Sequence, residues 1–449
     1  MQKILDAWKK LTSGSINRNI FGAAVTVALL TALVKVAAVV KELVVAWNFG
    51  TGDELDAFLI ALLVPSFIIS VIADSFNAAL IPTYIQVQEQ KGKGAAQRLF
   101  AGTIVWSLGL LSIAAILMVV TAPLYLSVIA TGFSQEKLNL TFQLLYALAP
   151  VIILSGIVTI WSAVLNAGER FALAALCPII TPGISVIFLL LFKSWGIFSL
   201  VAGLVCGIVL EIIILGAALK RQDVSVRPGW YGFDAHLRQV AGQYAPTVAG
   251  AVLICSAGLV DQSMAAMLSP GSVAALSYGN RLIASPISLM SIALSTAVIP
   301  YFAKMAACGD WVGLRSTFMH YLRLIFMITL PLTGLFIVFS QPLVQIFFQR
   351  GAFTAKDTQL VAQIQVFSAL QIPFYTANIF VVRLITSMRL NYILMWVSAF
   401  NLLINIILNY VFMQWLGVKG IALSTSCVYV FSFLYLLIFA NKSLKKIAT

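Results

Sequence analysis

The chain alternates between long apolar runs and short polar stretches in which lysine and arginine concentrate. Crossing a bilayer as a helix takes roughly 17 to 25 mostly apolar residues, and on that scale the pattern predicts about twelve spans. They fall at roughly 20–47, 56–82, 99–121, 141–165, 171–192, 197–219, 238–268, 273–303, 324–340, 360–387, 391–413 and 418–440. Lipid offers no hydrogen-bond partner to backbone amides, so runs of this length must be helical. The predicted fold class is an all-α polytopic membrane protein, and an even number of spans puts both termini on one side.

Composition supports this reading. Of 449 residues, 61% are hydrophobic and 10% charged, whereas a soluble domain is about a quarter charged. That composition leaves too little polar surface to cover a soluble core. The net charge of +13 could suit nucleic acid, anionic lipid or cytoplasmic loops, and its distribution decides. Of the 28 Lys and Arg residues, Lys35, Lys41 and Arg281 lie inside spans, while Lys137, Lys193, Arg350, Lys356 and Lys419 lie in loops after odd-numbered spans. The other 20 lie at or within a few residues of the opposite ends of the spans, so the positive-inside rule places both termini in the cytoplasm. No nucleic-acid-reading motif accompanies the charge.

The opening "MQKILDAWKKLTSGS" mixes Ile4, Leu5 and Trp8 with Lys3, Lys9 and Lys10 and is predicted to form an interfacial helix. No Ala-x-Ala cleavage signal follows the first span, which is therefore retained. Cys177, Cys206, Cys255, Cys308 and Cys427 are widely separated, and His236 and His320 have no metal-ligand spacing. Disulfide, zinc and redox chemistry are not indicated, and no catalytic constellation is present.

Three motifs recur in order about 220 residues apart. "AALIPTYI" answers "TAVIPYFA", "APLYLSVIATGFSQEK" answers "QPLVQIFFQRGAFTAKD", and "SWGIFSLVAG" answers "QWLGVKGIAL". Each copy holds six spans, so the copies share an orientation and a pseudo-two-fold axis would run along the membrane normal. The expected organisation is an N-terminal lobe over 1–219, a cytoplasmic linker over 220–237 and a C-terminal lobe over 238–449. Two such lobes enclose a central cavity, commonly used for alternating access.

An ionised group at mid-bilayer costs several kcal/mol, so it usually meets a watery cavity or a partner. Lys41 and Glu42 fall about 10 Å, and Asp261 and Arg281 about 12 Å, below the outer ends of their spans, with Lys35 deeper. Asp261 and Arg281 share a level and could pair. The layer of Lys35, Lys41, Glu42, Asp261 and Arg281 carries a net charge of +1, which suits an anionic ligand. Lys35 and Glu42, seven residues apart, share a helix face, so in one arrangement Glu42 holds Lys35 while Lys41 and Arg281 meet ligand oxygens. An arginine fork fits phosphate, and lysine acts as a point charge. The alternative is an ion-pair cluster with no ligand.

Asp74 and Glu211 lie nearer the cytoplasmic face as candidate proton or cation coupling sites, or as locally satisfied carboxyls. Asn401, Asn405 and Asn409 form a stripe at four-residue spacing, suited to helix-to-helix amide bonding or to a cation. Pro65, Pro150, Pro178, Pro182, Pro246, Pro286, Pro331 and Pro373 interrupt spans and can kink them.

These residues also carry a resemblance. "KELVVAWNFGTGDELDAFLIALLVPSFIISVIADSFNAALIP", 41–82, resembles the first two helices of MviN/MurJ-type flippases. "SVAALSYGNRLIASPISLMSIALSTAVIPYFAK", 272–304, is similar to that family's eighth helix, and "QRGAFTAKDT", 349–358, to one of its outer loops. The resemblance implies membership of the multidrug, oligosaccharidyl-lipid and polysaccharide exporter superfamily. It also implies flipping of an undecaprenyl-pyrophosphate-linked glycan from inner to outer leaflet, lipid II or an exopolysaccharide intermediate. By the same resemblance Lys35, Lys41 and Arg281 match the family's cavity cations; the expectation is that they serve the pyrophosphate, with Glu42 and Asp261 orienting them. Where the family has an arginine pair, this chain has Ile68–Ser70, and it shows twelve spans where lipid II flippases have fourteen.

The expectation is thus a transporter rather than an enzyme, in the bacterial cytoplasmic membrane, monomeric and surrounded by lipid. No cofactor is expected beyond a coupling cation, sodium or proton, or the membrane potential. A cation-coupled multidrug antiporter of the same superfamily is the competing class, although its cationic substrates call for an anionic cavity. A glycan polymerase or ligase is a third, but it would need a reactive outer loop, and the one at 341–357 is short and lacks histidine.

Overall fold

A computed structural model describes residues 16–168, 171–222, 224, 228–232, 234–388 and 390–448. The interfacial helix expected over 1–15 lies outside the described residues. The chain is helical nearly throughout. In order come α1 (Ile16–Phe49), α2 (Asp53–Ile68), a π-helical turn (Ile69–Ala73), α3 (Asp74–Ile129), α4 (Gln135–Ala167) and α5 (Phe171–Leu176). A 3-10 turn (Cys177–Ile179), α6 (Ile180–Leu191), a second 3-10 turn (Lys193–Trp195) and α7 (Phe198–Lys220) complete the first half. The second half holds α8 (Ala235–Ala266), α9 (Ser272–Ala307), α10 (Trp311–Val338) and α11 (Ser340–Phe348). It ends with α12 (Ala355–Ala369), α13 (Gln371–Ser387), α14 (Tyr392–Leu416) and α15 (Val418–Ala448).

Every predicted span has a helix over it. Among the described residues, nine helical stretches are long and apolar enough to cross a membrane. One of them, Asp53–Ile129, covers two predicted spans and breaks at Gly92, whose φ of 81° no helix accommodates; α1 and α9 cover the remaining two. The surface suits lipid, with Ile116, Val120, Ile213, Met327, Val338 and Phe431 all exposed. The protein is a multi-pass, all-helical membrane protein.

Two prolines account for local irregularities. Pro65 lies inside α2 and supplies no amide hydrogen to its own turn; the ladder shifts into the π-helical turn within one further turn of helix. Pro178 opens the 3-10 turn between α5 and α6. The interruption leaves the Thr181 amide to a side chain, Glu211 of α7. Helix α7 approaches closely here, since a Cβ on Gly207 would stand 2.6 Å from the Thr181 Cα.

The chain packs as two compact units. One comprises 1–45, 64–123 and 142–251; the other comprises 46–63, 124–141 and 252–449. In the first unit Phe76, Leu80, Tyr84, Phe100, Leu165, Leu219, Leu237 and Tyr244 share a core, and the Phe76 and Tyr244 rings stack at 4.2 Å. Leu237 and Val240 are buried there, on the helix that begins at Ala235. The second unit centres on Phe302, Phe318, Phe380, Leu384 and Phe433.

Candidate functional site

The intramembrane charges of α1 sit in the first unit. Lys41 Nζ lies 2.9 Å from Glu42 Oε1, with both side chains partly buried, whereas Lys35 is exposed. The expected Glu42–Lys35 pairing is therefore replaced by a Glu42–Lys41 pairing. Seven residues put Lys35 about 10 Å along the axis from Glu42, while the neighbouring lysine needs only to fold its chain over. Asp74 follows the π-helical turn and is exposed. Glu211 is 5% exposed, and its Oε1 accepts from Thr181 Oγ1 at 2.6 Å and Thr181 N at 3.2 Å. Both donors belong to the interrupted helix, so this carboxylate splints the break.

The second unit holds the rest. Arg281 donates from Nε to Ser277 Oγ at 3.2 Å. The pairing of Asp261 with Arg281 is not found, since no ion pair joins them among the described residues. Instead, Asp261 Oδ1 accepts from Asn405 Nδ2 at 3.0 Å and Asn409 Nδ2 at 2.7 Å. Its Oδ2 accepts from Thr425 Oγ1 at 3.2 Å. One turn of α14 separates the two asparagines, so both amides reach the same carboxylate. The third member of the stripe, Asn401, donates to Ser432 Oγ at 3.0 Å.

The Asp261 cluster can hold a hard monovalent cation. It has one carboxylate, a hydroxyl and two amides that turn Nδ2 to the carboxylate; with the amide oxygens turned inward instead, the set would be all-oxygen, as such ions take. Asn409 Oδ1 is buried with no hydrogen-bond partner, an orphan acceptor on the amide whose Nδ2 meets Asp261. Among the described residues no group of three or more His, Cys, Asp or Glu side chains forms a metal site, so a multi-carboxylate divalent site is not indicated.

A second cluster is absent from the sequence expectations. Asp56, 1% exposed, accepts at Oδ2 from Gly271 N at 2.7 Å and from Lys137 Nζ at 2.8 Å, and at Oδ1 from Ala274 N at 2.7 Å. It thereby caps α9, a helix more than 200 residues away, whose own N-cap residue is Gly271 with φ 85° and no side-chain cap. Lys137 also meets Asp53 at 2.6 Å and lies over the Phe133 ring at 4.2 Å. Nearby, Thr51 Oγ1 donates to Asp357 Oδ1. The signal is present in "GDELDAF", but acidic residues at a helix start ordinarily serve their own amides.

Comparison with known proteins identifies the family. The family model of the lipid II flippase MurJ matches residues 45–449. The chain belongs to the MurJ lipid II flippase family. MurJ proteins are transporters rather than catalysts, and the match includes Asp56, Lys137, Asp261 and Arg281 but begins after Lys35, Lys41 and Glu42. The chain is 24% identical to the probable lipid II flippase MurJ of Synechocystis, over 96% of this chain and 83% of the relative. It is 25% identical to the probable MurJ of Thermotoga maritima, over 92% and 84%. A solved MurJ lipid II flippase in an inward closed conformation has the same fold, with a TM-score of 0.79 at 24% identity, covering 94% of this chain and 90% of that one. A multidrug resistance MATE transporter of the MOP superfamily shares the fold at a TM-score of 0.76 and 14% identity, over 95% and 100%.

Proposed function

We propose that this protein carries an undecaprenyl-pyrophosphate-linked saccharide, lipid II or a related repeat-unit intermediate, from the inner to the outer leaflet of a bacterial cytoplasmic membrane. It works as a monomer by alternating access, with both termini cytoplasmic. The observation that carries the reading is family membership over nine-tenths of the chain, joined to basic side chains inside spans. Lys41 and Arg281 bind the pyrophosphate and Lys35 sets the potential of the cavity. Glu42 orients Lys41 through their ion pair. Arginine and lysine divide the task by geometry, the fork engaging two oxygens and the ammonium one.

Residues near the outer loops serve as a gate. On the proposed orientation, Asp56 and Lys137 hold the outer ends of α2 and α4 to the start of α9, and release of that tie accompanies delivery to the outer leaflet. A monovalent cation, sodium, binds Asp261, Thr425 and the amide oxygens of Asn405 and Asn409 once those amides turn over, and its binding is linked to the transport cycle. A net ligand charge of −1 suits sodium better than a divalent ion.

Complementation tests the substrate: the chain should support growth of cells depleted of their lipid II flippase, and a Lys41→Ala, Arg281→Ala double variant should not, although it reaches the membrane folded. Full activity of the double variant in a lipid-precursor flipping assay would remove the proposed pyrophosphate site.

A further inference from the structure

A cavity of about 470 Å³ lies within the second unit, lined by Gly258 and Asp261 of α8, Tyr375 of α13, Asn401 of α14, and Tyr429 and Ser432 of α15, among others. Its lining on α14 runs from Leu394 to Asn405, which at 1.5 Å per residue is about 16 Å along the helix. Asp261 stands at one end of that run with Asn405 and Thr425, and Leu394 and Leu436 line the other. Between them, Asn401 donates to Ser432 Oγ at 3.0 Å and Ser432 donates to Asn378 Oδ1 at 3.3 Å. The volume exceeds what one ion requires, since a water molecule occupies about 30 Å³ and the cavity admits on the order of ten.

Asp261 is the sole charged residue among the described lining residues, so a cation entering the cavity meets no lysine or arginine on its walls. Polar side chains in the middle of an otherwise apolar wall are costly unless they serve one another or water. Gly258, one turn before Asp261, leaves the wall open there: a Cβ on it would meet nothing within 4 Å.

We infer that this cavity is the hydrated path by which the monovalent cation reaches Asp261, and that Asn378, Asn401 and Ser432 form a transit site along it. The inference rests on the cation reading of the Asp261 cluster. Amide and hydroxyl oxygens without formal charge bind the ion weakly enough to release it, and the carboxylate retains it.

The test separates access from affinity in the purified full-length protein, with radioactive sodium as the probe. Gly258→Leu fills the cavity, and the expected result is unchanged equilibrium sodium affinity with exchange slowed at least tenfold. Asn401→Ala combined with Ser432→Ala should slow exchange several-fold at unchanged affinity, whereas Asp261→Asn should abolish binding. Should Gly258→Leu fail to fold, Gly258→Cys in a background lacking the five native cysteines is alkylated after folding, and exchange is compared before and after. Unchanged exchange in the plugged protein overturns the proposed path while leaving the cation site standing. Absence of sodium binding in the unmodified protein, by contrast, overturns the cation reading itself and the path with it.

Discussion

Replacing Asp56 by Asn probes the tie between α2, α4 and α9 with little change in shape. The carboxylate accepts from Gly271 N, Ala274 N and Lys137 Nζ, all within 2.8 Å. An asparagine keeps one acceptor and turns an amide donor towards a donor. Hydrogen bonds to a charged group contribute about 1.5–3 kcal/mol each, and breaking a buried ion pair costs about 3–5 kcal/mol. Lys137, 7% exposed, retains only Asp53 as its carboxylate partner, which is 59% exposed and holds it weakly. The tie should therefore weaken by about 3–5 kcal/mol, which at 1.4 kcal/mol per decade raises the opened fraction roughly 100- to 1,000-fold or more. Ala274→Cys reports on this, because Ala274 is fully buried and its amide is one that Asp56 holds. Labelling by a membrane-impermeant maleimide should be slow in the otherwise unchanged chain and faster by two orders of magnitude when Asp56→Asn is added. Equal labelling rates in the two backgrounds would refute the assignment of Asp56 as the tie.

Three further outcomes follow from local geometry. Gly351 has a φ of 59° and its Cβ position is taken by Trp47, so Gly351→Ala should lower the unfolding free energy by more than the roughly 1–2 kcal/mol of a left-handed residue alone, read as a lower melting temperature. Thr354 and Asp357 form a reciprocal capping box at the start of α12; Thr354→Ala should cost about 0.5–2 kcal/mol in detergent-solubilised unfolding. Glu211→Gln retains an acceptor for the two Thr181 donors and should preserve both stability and flipping, whereas Glu211→Ala should destabilise. Loss of flipping by a stable Glu211→Gln protein would return Glu211 to a proton-coupling role.

Local features of the chain carry its class. The hydropathy pattern locates a helix over each of twelve spans because spanning depends on length and apolar content within one segment, both readable in sequence. The residues proposed for the site are also legible as individuals: Lys41, Glu42, Asp261, Arg281, Asn405 and Asn409 are conspicuous because charge and amide groups are expensive in lipid. Their partners are not. Axial distance could have ruled out Glu42 with Lys35, but the choice of Asn405, Asn409 and Thr425 over Arg281 for Asp261 depends on the rotation of three helices about their axes.

The sequence by itself determined that the chain crosses a membrane many times as helices, and which spans bear ionisable groups, since both follow from the cost of exposing polar atoms to lipid. Only the tertiary structure decided that Asp56 caps a helix encoded more than 200 residues later, that Glu211 serves a proline-interrupted helix, and that three neutral side chains gather around Asp261. A hydrogen bond is satisfied within about 3 Å, and contacts that short between remote segments exist only after the helices have packed.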